Sequence, residues 1–350
     1  MDILVLGGTG AMGVPLVQLL SENNNVFVTT RSKKENKGNV TYICGNAKED
    51  GFFNSLMNRK YDAIVDFMVY STEELKNRLN VLLDHTNQYF FFSSARCYAD
   101  SKSLIKESSP RLVDVCEDEE YLSKDEYGMA KGREENLLLA TGKKNWTIIR
   151  PYITYNSYRI QLGVYEKEDW LRRALKGRTV VFPKDIAEKR TSLTYGPDVA
   201  GALVELIGNV KALGEIFHIT TEENHTWGEI LEFYCNHIYE KTGKRIKVKL
   251  VDDSKGLQTV WNRWQIRYDR LYDRCFDNSK IESVRGKYNY KPTFEGLAEC
   301  LDEFLAKPKW MGMNVRYEGW SDRQCGEFTP LKEITGYKNK LRYLKHRFFG

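Results

Sequence analysis

The sequence lacks most features that would identify a site directly. None of its seven cysteines forms a C-x-x-C pair, so zinc-ribbon and thioredoxin-type sites have no support. An odd cysteine count in a long chain is typical of reduced thiols, and the five histidines are scattered, so we expect no metal site. No apolar run approaches the roughly 18–20 residues of a membrane span. The N-terminus lacks the basic flank and long apolar stretch of a signal peptide, so we expect a cytoplasmic protein.

Length and composition indicate a globular protein of two domains. The chain has 350 residues, of which 41% are hydrophobic and 29% charged. Lysine and arginine number 53 against 48 acidic residues, a net charge of +5 that is too diffuse to indicate nucleic-acid binding. We find no internal repeat and no low-complexity linker. We therefore expect neither a nucleic-acid nor a membrane partner.

Short apolar strands alternate with amphipathic helices over the first 150 residues. The predicted strands span residues 2–6, 26–30, 40–44, 63–67, 89–92 and 146–149. This alternation predicts an α/β fold, a doubly wound Rossmann parallel sheet with a smaller C-terminal α+β substrate domain. The predicted Rossmann domain covers residues 1–155, with residues 191–221 returning to it. Residues 156–190 and 222–350 form the predicted substrate domain and tail.

A glycine-rich loop follows the first strand. Residues 7–13 place glycine at Gly7, Gly10 and Gly13, the spacing G-x-x-G-x-x-G. A β-carbon at Gly7 or Gly10 would block a pyrophosphate from the backbone N–H groups of a helix N-terminus, whereas Gly13 permits close packing of helix and strand. Its position between a strand and an apolar-periodic helix favours a dinucleotide site over a tight structural turn.

The second strand ends without the acidic residue that usually binds the ribose of NAD. Arg31 stands there instead, in the run Thr-Thr-Arg-Ser-Lys-Lys over residues 29–34. An arginine can pair with a 2′-phosphate or stack on adenine. We therefore expect NADP or NAD, with NADP slightly favoured. A solvated basic turn is the alternative.

A tyrosine–lysine pair provides the candidate catalytic chemistry. Tyr127 and Lys131 are four residues apart, which places them on one face of a helix. A nearby ammonium favours the phenolate and lowers the tyrosine pKa. Ser94, just after the predicted fifth strand, is suited to orient a substrate oxygen. The second match to this spacing, from Tyr98 to Lys102, lies in a predicted loop, so we assign the chemistry to Tyr127.

Together these motifs resemble the extended short-chain dehydrogenase/reductases, the NAD-dependent epimerase/dehydratase family that modifies sugar nucleotides. The resemblance covers about residues 1–306. Residues 91–98 (FFSSARCY) resemble the family's fifth-strand signature, in which Ser94 stands four residues before Tyr98. The Ile-Arg-Pro ending at Pro151 resembles the turn that flanks the nicotinamide. Residues 190–200 resemble the segment in which an arginine, here Arg190, meets the substrate diphosphate.

The resemblance implies a site and a reaction. It implies catalytic roles for Ser94, Tyr127 and Lys131, and substrate contacts from Arg190, Ser94 and Tyr98. It implies cofactor contacts from Gly7, Gly10, Ala11, Met12, Gly13, Arg31, Asn46, Phe67, Ser93, Tyr127, Lys131 and Pro151. The expected protein is an NAD(P)-dependent oxidoreductase of carbohydrate biosynthesis. It transfers hydride at C4 of a nucleotide-activated sugar, as a 4-epimerase or a 4-ketoreductase. A homodimer is left open.

Three departures from the family pattern matter. Ala95 and Arg96 stand where the dehydratases carry an acidic or Ser-Glu pair, which disfavours dehydration. Asn46 takes the adenine contact by position only. The segment from Asp66 to Tyr70 resembles a branch that includes plant chloroplast stem-loop binding proteins. A non-catalytic RNA-binding or scaffolding protein is therefore the alternative, against which the intact catalytic set and the low net charge argue.

Two further segments leave alternatives open. Loop residues 100–126 hold nine acids and four bases, and a solvated surface loop is favoured over a lid. In the basic C-terminal tail, apolar residues recur at helical spacing at Ile334, Tyr337, Leu341, Leu344 and Phe348. A basic amphipathic helix is typical of membrane-surface binding. We favour instead a last helix docked on the substrate domain or on a second subunit.

Overall fold

The computed structural model describes residues 1–349, which divide into two compact units. The first unit comprises Met1–Thr154, Ser192–Glu222 and Phe276–Lys291. The second comprises Tyr155–Thr191, Glu223–Cys275 and residues 292–349. The sequence assigned residues 276–291 to the substrate domain. They belong to the first unit because the apolar side chain of Ile281 packs into its core.

The regular elements follow one another along the chain. The strands are β1 (Asp2–Leu6), β2 (Asn25–Thr30), β3 (Val40–Cys44), β4 (Tyr61–Asp66), β5 (Thr86–Phe92), β6 (Trp146–Pro151), β7 (Thr154–Tyr155), β8 (Val180–Pro183), β9 (Arg190–Thr191), β10 (Thr194–Tyr195), β11 (Glu215–Ile219), β12 (His225–Thr226) and β13 (Val248–Val251). The helices are α1 (Gly13–Leu20), α2 (Asp50–Leu56), α3 (Thr72–Asp84), α4 (Leu112–Val115), α5 (Glu119–Leu122), α6 (Tyr127–Ala140), α7 (Leu171–Leu175), α8 (Lys184–Ala187), α9 (Gly196–Leu206), α10 (Trp227–Thr242), α11 (Arg263–Gln265), α12 (Ser279–Arg285), α13 (Thr293–Ala306), α14 (Val315–Cys325) and α15 (Tyr337–Phe348).

The first unit is built on a seven-stranded parallel sheet. Its strand order is β11-β6-β5-β4-β1-β2-β3, so the chain reverses direction across the sheet between β1 and β4. This is the doubly wound Rossmann order, which confirms the predicted fold class. In such sheets, ligands bind outside the carboxyl ends of the strands at this reversal. The glycine loop after β1 therefore lies at the expected place for a dinucleotide.

Two apolar layers cover the two faces of this sheet. One contains Leu16, Leu20 and Leu203, from helices α1 and α9, packed on Val5 and Val28. The other contains the leucines of α3 with strand residues of the opposite face. Because both faces are covered, the strands are continuous apolar runs that the sequence identified.

The fifth strand begins three residues earlier than predicted. Its first residues, Thr86 to Gln88, are polar, and a hydrophobic pattern therefore missed them. The buried Gln88 amide donates to Thr147 Oγ1 at 3.0 Å and to the Leu206 carbonyl at 3.1 Å. Its carbonyl oxygen accepts the Gly208 N–H at 2.7 Å. A fully bonded glutamine thus extends the strand inside the core.

Two long helices begin with a capping box: Ser71 with Glu74 begins α3, and Thr226 with Glu229 begins α10. Helix α13 begins without a side-chain cap. Its first helical residue is Thr293 and Pro292 precedes it, because proline's fixed φ suits the entry into a helix.

The second unit encloses a network of buried charges. Arg173 lies 3.0 Å from Glu318 Oε1, 2.9 Å from Asp322 Oδ1 and 3.2 Å from Glu327 Oε2. Three carboxylates around one guanidinium tie α7 to α14 and to the turn that follows it. Over residues 1–349, no helix is both long enough and apolar enough to cross a membrane.

Candidate active site and cofactor cavity

The glycine loop has the geometry of an anion-binding turn. Gly7 adopts φ +74°, a left-handed conformation that favours glycine, and its N–H donates to Thr29 Oγ1 at 3.0 Å. A β-carbon on Gly10 would meet nothing within 4 Å, whereas one on Gly13 would lie 2.7 Å from the Gly8 backbone. Ala11 and Met12 lead into α1, and the Met12 side chain makes no cap hydrogen bond to the first N–H groups of the helix.

A cavity of about 300 Å³ lies beside this loop. Its lining contains no carboxylate and two cations, Arg31 and Lys48. The lining residues are Gly7, Thr9, Thr29, Thr30, Arg31, Gly45, Asn46, Ala47, Lys48, Phe67, Met68 and Val69. Four residues predicted to bind cofactor thus share one cavity. Such a lining fits a phosphate-bearing ligand.

Asn46 and Lys48 occupy the far side of the cavity. The Asn46 side-chain oxygen accepts the Lys48 N–H at 3.1 Å, and its amide donates to Glu49 at 3.3 Å. Lys48 Nζ lies 3.2 Å from Glu74. Sequence reasoning missed Lys48, although its place two residues after Asn46 was a usable signal.

Phe67 links the cavity to the catalytic segment. Its ring lies 4.3 Å from that of Phe92, centre to centre. Phe92 ends β5 and directly precedes Ser93 and Ser94. The cavity and the Ser94 turn are therefore in contact through two packed rings.

An ion pair joins the Ser94 turn to the start of the Tyr127 helix. Ser94 begins a 3₁₀ turn over Ala95–Cys97, and Tyr127 is the first residue of α6. Arg96, in that turn, lies 2.7 Å from Glu126 Oε1, and its guanidinium is 5.2 Å from the centre of the Tyr127 ring. Glu126 also caps α6 by accepting the Gly128 N–H at 2.9 Å. Arg96 thus brings the predicted serine and tyrosine segments together.

Lys131 is paired with a carboxylate that the sequence did not reveal as functional. Its Nζ donates to Glu134 Oε2 at 2.8 Å, and both side chains are buried. The same Nζ lies 5.8 Å from the centre of the Tyr127 ring and 4.7 Å from that of Phe91. Burial raises the pKa of Glu134 to about 7, although Lys131 opposes the shift. The cation near Tyr127 therefore has a counter-ion that titrates near neutrality.

A second buried acid lies close to this pair. Asp66, at the end of β4, accepts the Tyr89 hydroxyl at 3.0 Å and the Met68 N–H at 2.9 Å. Burial raises the pKa of Asp66 to about 6, opposed by these hydrogen bonds and by the charge of Lys131. Lys131 is thus the cation at a site with two carboxyl groups whose protonation changes between pH 6 and 7.

Glu135 binds the ends of two strands and a loop to α6. It accepts Ser93 Oγ at 2.5 Å, Arg150 Nε at 2.7 Å and Arg150 Nη2 at 2.6 Å. Arg111, from the acidic loop, adds a contact at 3.0 Å. The Ser93 hydroxyl, for which the resemblance implies a cofactor contact, is buried and bonded to this carboxylate. Pro151 follows Arg150, ends β6 and is paired with Ile219 of β11.

Tyr98 lies in the interior of the first unit. It is fully buried, its hydroxyl is 3.3 Å from His218 Nδ1, and the Arg150 guanidinium is 4.7 Å from its ring centre. Burial raises the pKa of its phenol well above the usual range. Its aromatic ring and hydroxyl are used in packing, in contrast to the substrate contact that the resemblance implies.

Arg190 is exposed on the second unit. Its N–H donates to Asp273 Oδ1 at 2.8 Å. Its guanidinium Nη1 donates to the Asn224 carbonyl at 3.1 Å and to Asn224 Oδ1 at 2.9 Å. Because one nitrogen makes both side-chain contacts, the guanidinium is held at one end only.

The acidic loop is anchored at several points. Ile105 forms a bridge to Phe276, Arg111 reaches Glu135, and Tyr121 is buried with its hydroxyl 3.0 Å from Glu126. Its acidic residues at 117, 119 and 120 are exposed. Within residues 1–349, no three His, Cys, Asp or Glu side chains form a group suited to a metal ion.

Comparison with known proteins places this geometry in context. No family model matches the sequence. The chain is 28% identical, over 243 residues, to the chloroplast stem-loop binding protein of 41 kDa b from Arabidopsis thaliana. The match spans 64% of this chain and 60% of that protein's length.

Solved structures share the fold across most of the chain. The Bordetella bronchiseptica enzyme WbmH, in complex with NAD⁺, is 15% identical with a TM-score of 0.66, covering 88% of this chain and 99% of that one. The dTDP-glucose 4,6-dehydratase of Bacillus anthracis, with NAD, is 18% identical with a TM-score of 0.66, covering 89% and 98%. The UDP-glucuronic acid 4-epimerase of Bacillus cereus, with NAD, is 15% identical with a TM-score of 0.65, covering 88% and 100%. The chain shares the fold of these three enzymes. The motif resemblance is thereby confirmed for the fold.

Two glycines of the loop should respond differently to alanine. Gly13→Ala forces a β-carbon to within 2.7 Å of the Gly8 backbone, so we expect a loss of about 1–3 kcal/mol in unfolding free energy. Gly10→Ala meets no neighbour, so its stability should stay near wild type while NADPH binding is lost. Chemical denaturation and NADPH fluorescence titration measure the two effects. Equal loss of stability in both variants would contradict this division of roles.

The buried carboxyl of Glu134 should make stability fall as pH rises. Its pKa is raised from 4.5 to about 7, so the folded state holds this proton more tightly than the unfolded chain does between these pH values. Stability should fall across that interval by roughly 1–3 kcal/mol from this group. Glu134→Gln should remove that part of the slope in urea titrations at each pH. Glu117→Gln, at an exposed position, is the control, and an unchanged slope in Glu134→Gln would refute the prediction.

Proposed function

We propose that the chain is an NAD(P)-dependent oxidoreductase or epimerase that acts on a nucleotide-activated sugar. The reaction centre is sugar C4, and the outcome is 4-epimerisation or 4-ketoreduction. The observation that carries the proposal is the Arg96–Glu126 ion pair, which holds the Tyr127 helix against the Ser94 turn. The packed rings of Phe67 and Phe92 connect that turn to the cavity of the glycine loop.

Each side chain has a distinct task in this proposal. Tyr127 moves the proton to or from the reacting sugar oxygen as general acid or base. Ser94 hydrogen-bonds the same oxygen and orients it. Lys131 stabilises the phenolate of Tyr127 and contributes donors for the ribose hydroxyls, since only one of its three N–H bonds goes to Glu134. When bound, the nicotinamide supplies or accepts the hydride.

The residues of the cavity fit a dinucleotide. The open space beside Gly10 and the uncapped start of α1 suit a pyrophosphate. Arg31, in a lining without carboxylates, favours a 2′-phosphate, whereas the Lys48 ammonium is paired with Glu74, so we propose NADP over NAD. A preference for NADPH in turn favours reduction, because an epimerase recycles its cofactor and gains nothing from a reduced pool.

The substrate class rests on the second unit and on the fold. Arg190 is exposed and held by one nitrogen, which leaves its outer donors for a diphosphate. Several structures of this fold are named as enzymes acting on UDP- or dTDP-sugars. Dehydration is not proposed, because Ala95 and Arg96 replace the required acid–base pair and Arg96 is bound to Glu126.

An RNA-binding role is the second candidate. It is favoured by the similarity to the chloroplast stem-loop binding protein. An RNA-binding protein would tolerate loss of the tyrosine hydroxyl, whereas an oxidoreductase would not. RNA retention by wild type and by Tyr127→Phe, measured beside turnover, separates the two functions.

Tyr127→Phe should abolish turnover while leaving the fold intact. The change removes only the ionisable oxygen, and a positioned acid–base group contributes roughly 10²–10⁴-fold in rate. The measurement is NADPH oxidation and product analysis with a panel of UDP- and dTDP-linked 4-keto and 4-hydroxy sugars. NADPH affinity should change little, because the phosphates bind elsewhere.

Tyr98→Phe is the matched control for this test. Its hydroxyl contacts His218 in the interior, so we expect a small loss of stability and near-normal turnover. A larger loss of activity in Tyr98→Phe than in Tyr127→Phe would show that the assignment of the chemistry to Tyr127 is wrong. Absence of turnover by wild type on every nucleotide sugar would refute the substrate class.

Arg31→Ala should weaken NADP binding far more than NAD binding. Loss of a charge-assisted hydrogen bond costs about 1.5–3 kcal/mol, roughly 10- to 150-fold in affinity. Calorimetric titration of both cofactors measures the ratio, and Lys33→Ala, on the exposed turn outside the cavity lining, is the control. Equal weakening for both cofactors would show that Arg31 does not contact the 2′-phosphate. Mass spectrometry of cofactor released from the purified protein provides an independent answer.

A further inference from the structure

The C-terminal helix α15 is docked on the second unit through one side. Tyr343 is its buried residue, with its hydroxyl donating to Asp322 Oδ2 at 2.7 Å and accepting the Thr329 N–H at 2.7 Å. On the same side, Arg347 Nε donates to the Glu327 carbonyl at 2.6 Å. Gly319 of α14 lets the two helices approach closely, since a β-carbon there would lie 2.5 Å from the Tyr343 carbonyl. The helix is therefore held in a defined orientation.

That orientation leaves three residues of the apolar stripe in solvent, whereas Ile334 is buried and Leu344 packs, partly buried, against the same core cluster. Its residues follow the spacing of one helical face, but Tyr337 is 75% exposed, Leu341 48% and Phe348 54%. Phe349 is 85% exposed. Phe328, 48% exposed, extends this surface, with its ring 6.4 Å from that of Phe348. Contiguous apolar surface of this kind is typical of an interaction site.

The surroundings of the stripe are positively charged. Residues 337–349 contain five cations and no acid: Lys338, Lys340, Arg342, Lys345 and Arg347. Lys338 and Lys345, seven residues apart on one flank, are exposed. Arg316 and Arg323 of α14 add to this charge. Burial, followed by the charges of Arg316, Lys345 and Arg323, lowers the pKa of His346 below its usual range.

We propose that α15 binds the surface of an anionic lipid bilayer. In this arrangement, Tyr337, Leu341 and Phe348 enter the boundary between headgroups and acyl chains while the flanking lysines contact lipid phosphates. An apolar stripe with basic flanks is the pattern of helices that lie in the plane of a membrane interface. Anionic headgroups attract each such lysine or arginine. The proposal is independent of the reaction catalysed by the first unit.

The charge of α15 argues against a second copy of this chain as the partner of the stripe. Pairing two α15 helices through their stripes would bring five cations against five, with no acid on either helix. The shape of this surface argues against an acidic peptide as the partner, because the stripe lies along a convex helix and not in a groove. An RNA would use the cations but would leave Leu341 in water. A fluid, anionic surface satisfies both the apolar and the basic parts.

The proposal departs from the expectation that no membrane is involved. Sequence spacing identified the stripe and favoured docking through it. The helix does dock, but through Tyr343, which lies on a different side from Tyr337, Leu341 and Phe348. The Tyr343 phenol is buried because its hydroxyl satisfies two hydrogen bonds there, and the exposed residues of the apolar stripe therefore lie on another side of the helix.

Cosedimentation of the full chain with vesicles tests the proposal. We expect binding to vesicles of phosphatidylcholine mixed with phosphatidylserine, weak binding to phosphatidylcholine alone, and weakening by salt. Leu341→Gln with Phe348→Gln should reduce the partition coefficient at least 10-fold. Lys338→Gln with Lys345→Gln should reduce it about 30-fold, from the value of two cations near an anionic surface. All four side chains are exposed, so thermal unfolding should be unchanged.

The matched control is Val210→Gln with Lys211→Gln. This exposed apolar–basic pair lies on a turn of the first unit, and its replacement should leave vesicle binding unchanged. Absence of binding to anionic vesicles, or equal binding by stripe and control variants, would overturn the proposal. So would a dimer dissociated by the Leu341 and Phe348 changes, which would show a second copy on this face. RNA retention lost with the lysines but kept without Leu341 would assign the surface to nucleic acid and refute the lipid.

Discussion

The buried carboxylate of Glu135 is the constraint on which the candidate site at the edge of the sheet depends. It joins α6 to the end of β5 through Ser93, to the end of β6 through Arg150, and to the loop through Arg111. Burial alone would raise the pKa of Glu135, but the hydrogen bonds from Arg150, Ser93 and Arg111 hold it below its usual range. Loss of one partner from such a buried ion network typically costs about 3–5 kcal/mol. The carboxylate therefore holds Tyr127 and Ser94 at one place through the elements that carry them.

A second group of buried charges lies around Lys131. Lys131, one helical turn before Glu135, is bonded to Glu134 and its charge acts on Asp66. Burial has raised the pKa values of these two acids to about 7 and about 6. The net charge near Tyr127 thus depends on whether Glu134 and Asp66 are protonated. In a site of low polarity, this dependence is stronger than it would be in water.

Much of this site was accessible from the sequence, and the exceptions share a cause. Gly7, Arg31, Asn46 and Phe67 line one cavity as their motif positions suggested. Glu134, Arg96 and Glu126 were not assigned roles, because a charged residue in a helix or loop is usually solvated and its spacing carries no sign of burial. Tyr98 was assigned a substrate contact by position, yet its ring is enclosed by Arg150 and His218. In each of these cases, a polar group is buried by a segment that is distant in the sequence.

The sequence by itself determined the alternation of strands and helices, the glycine loop and the helix starts at Ser71 and Thr226. These features depend on local periodicity, local hydrogen bonds and backbone conformation, all set by residues close together in the chain. Only the tertiary structure decided which charges are buried and which side of α15 faces solvent. Tyr343 meets Asp322, and the charge of Lys131 comes near enough to act on Asp66, only after folding brings separate segments together. The free energy of a buried polar group depends on its partner, and the partner's identity is not encoded in local spacing.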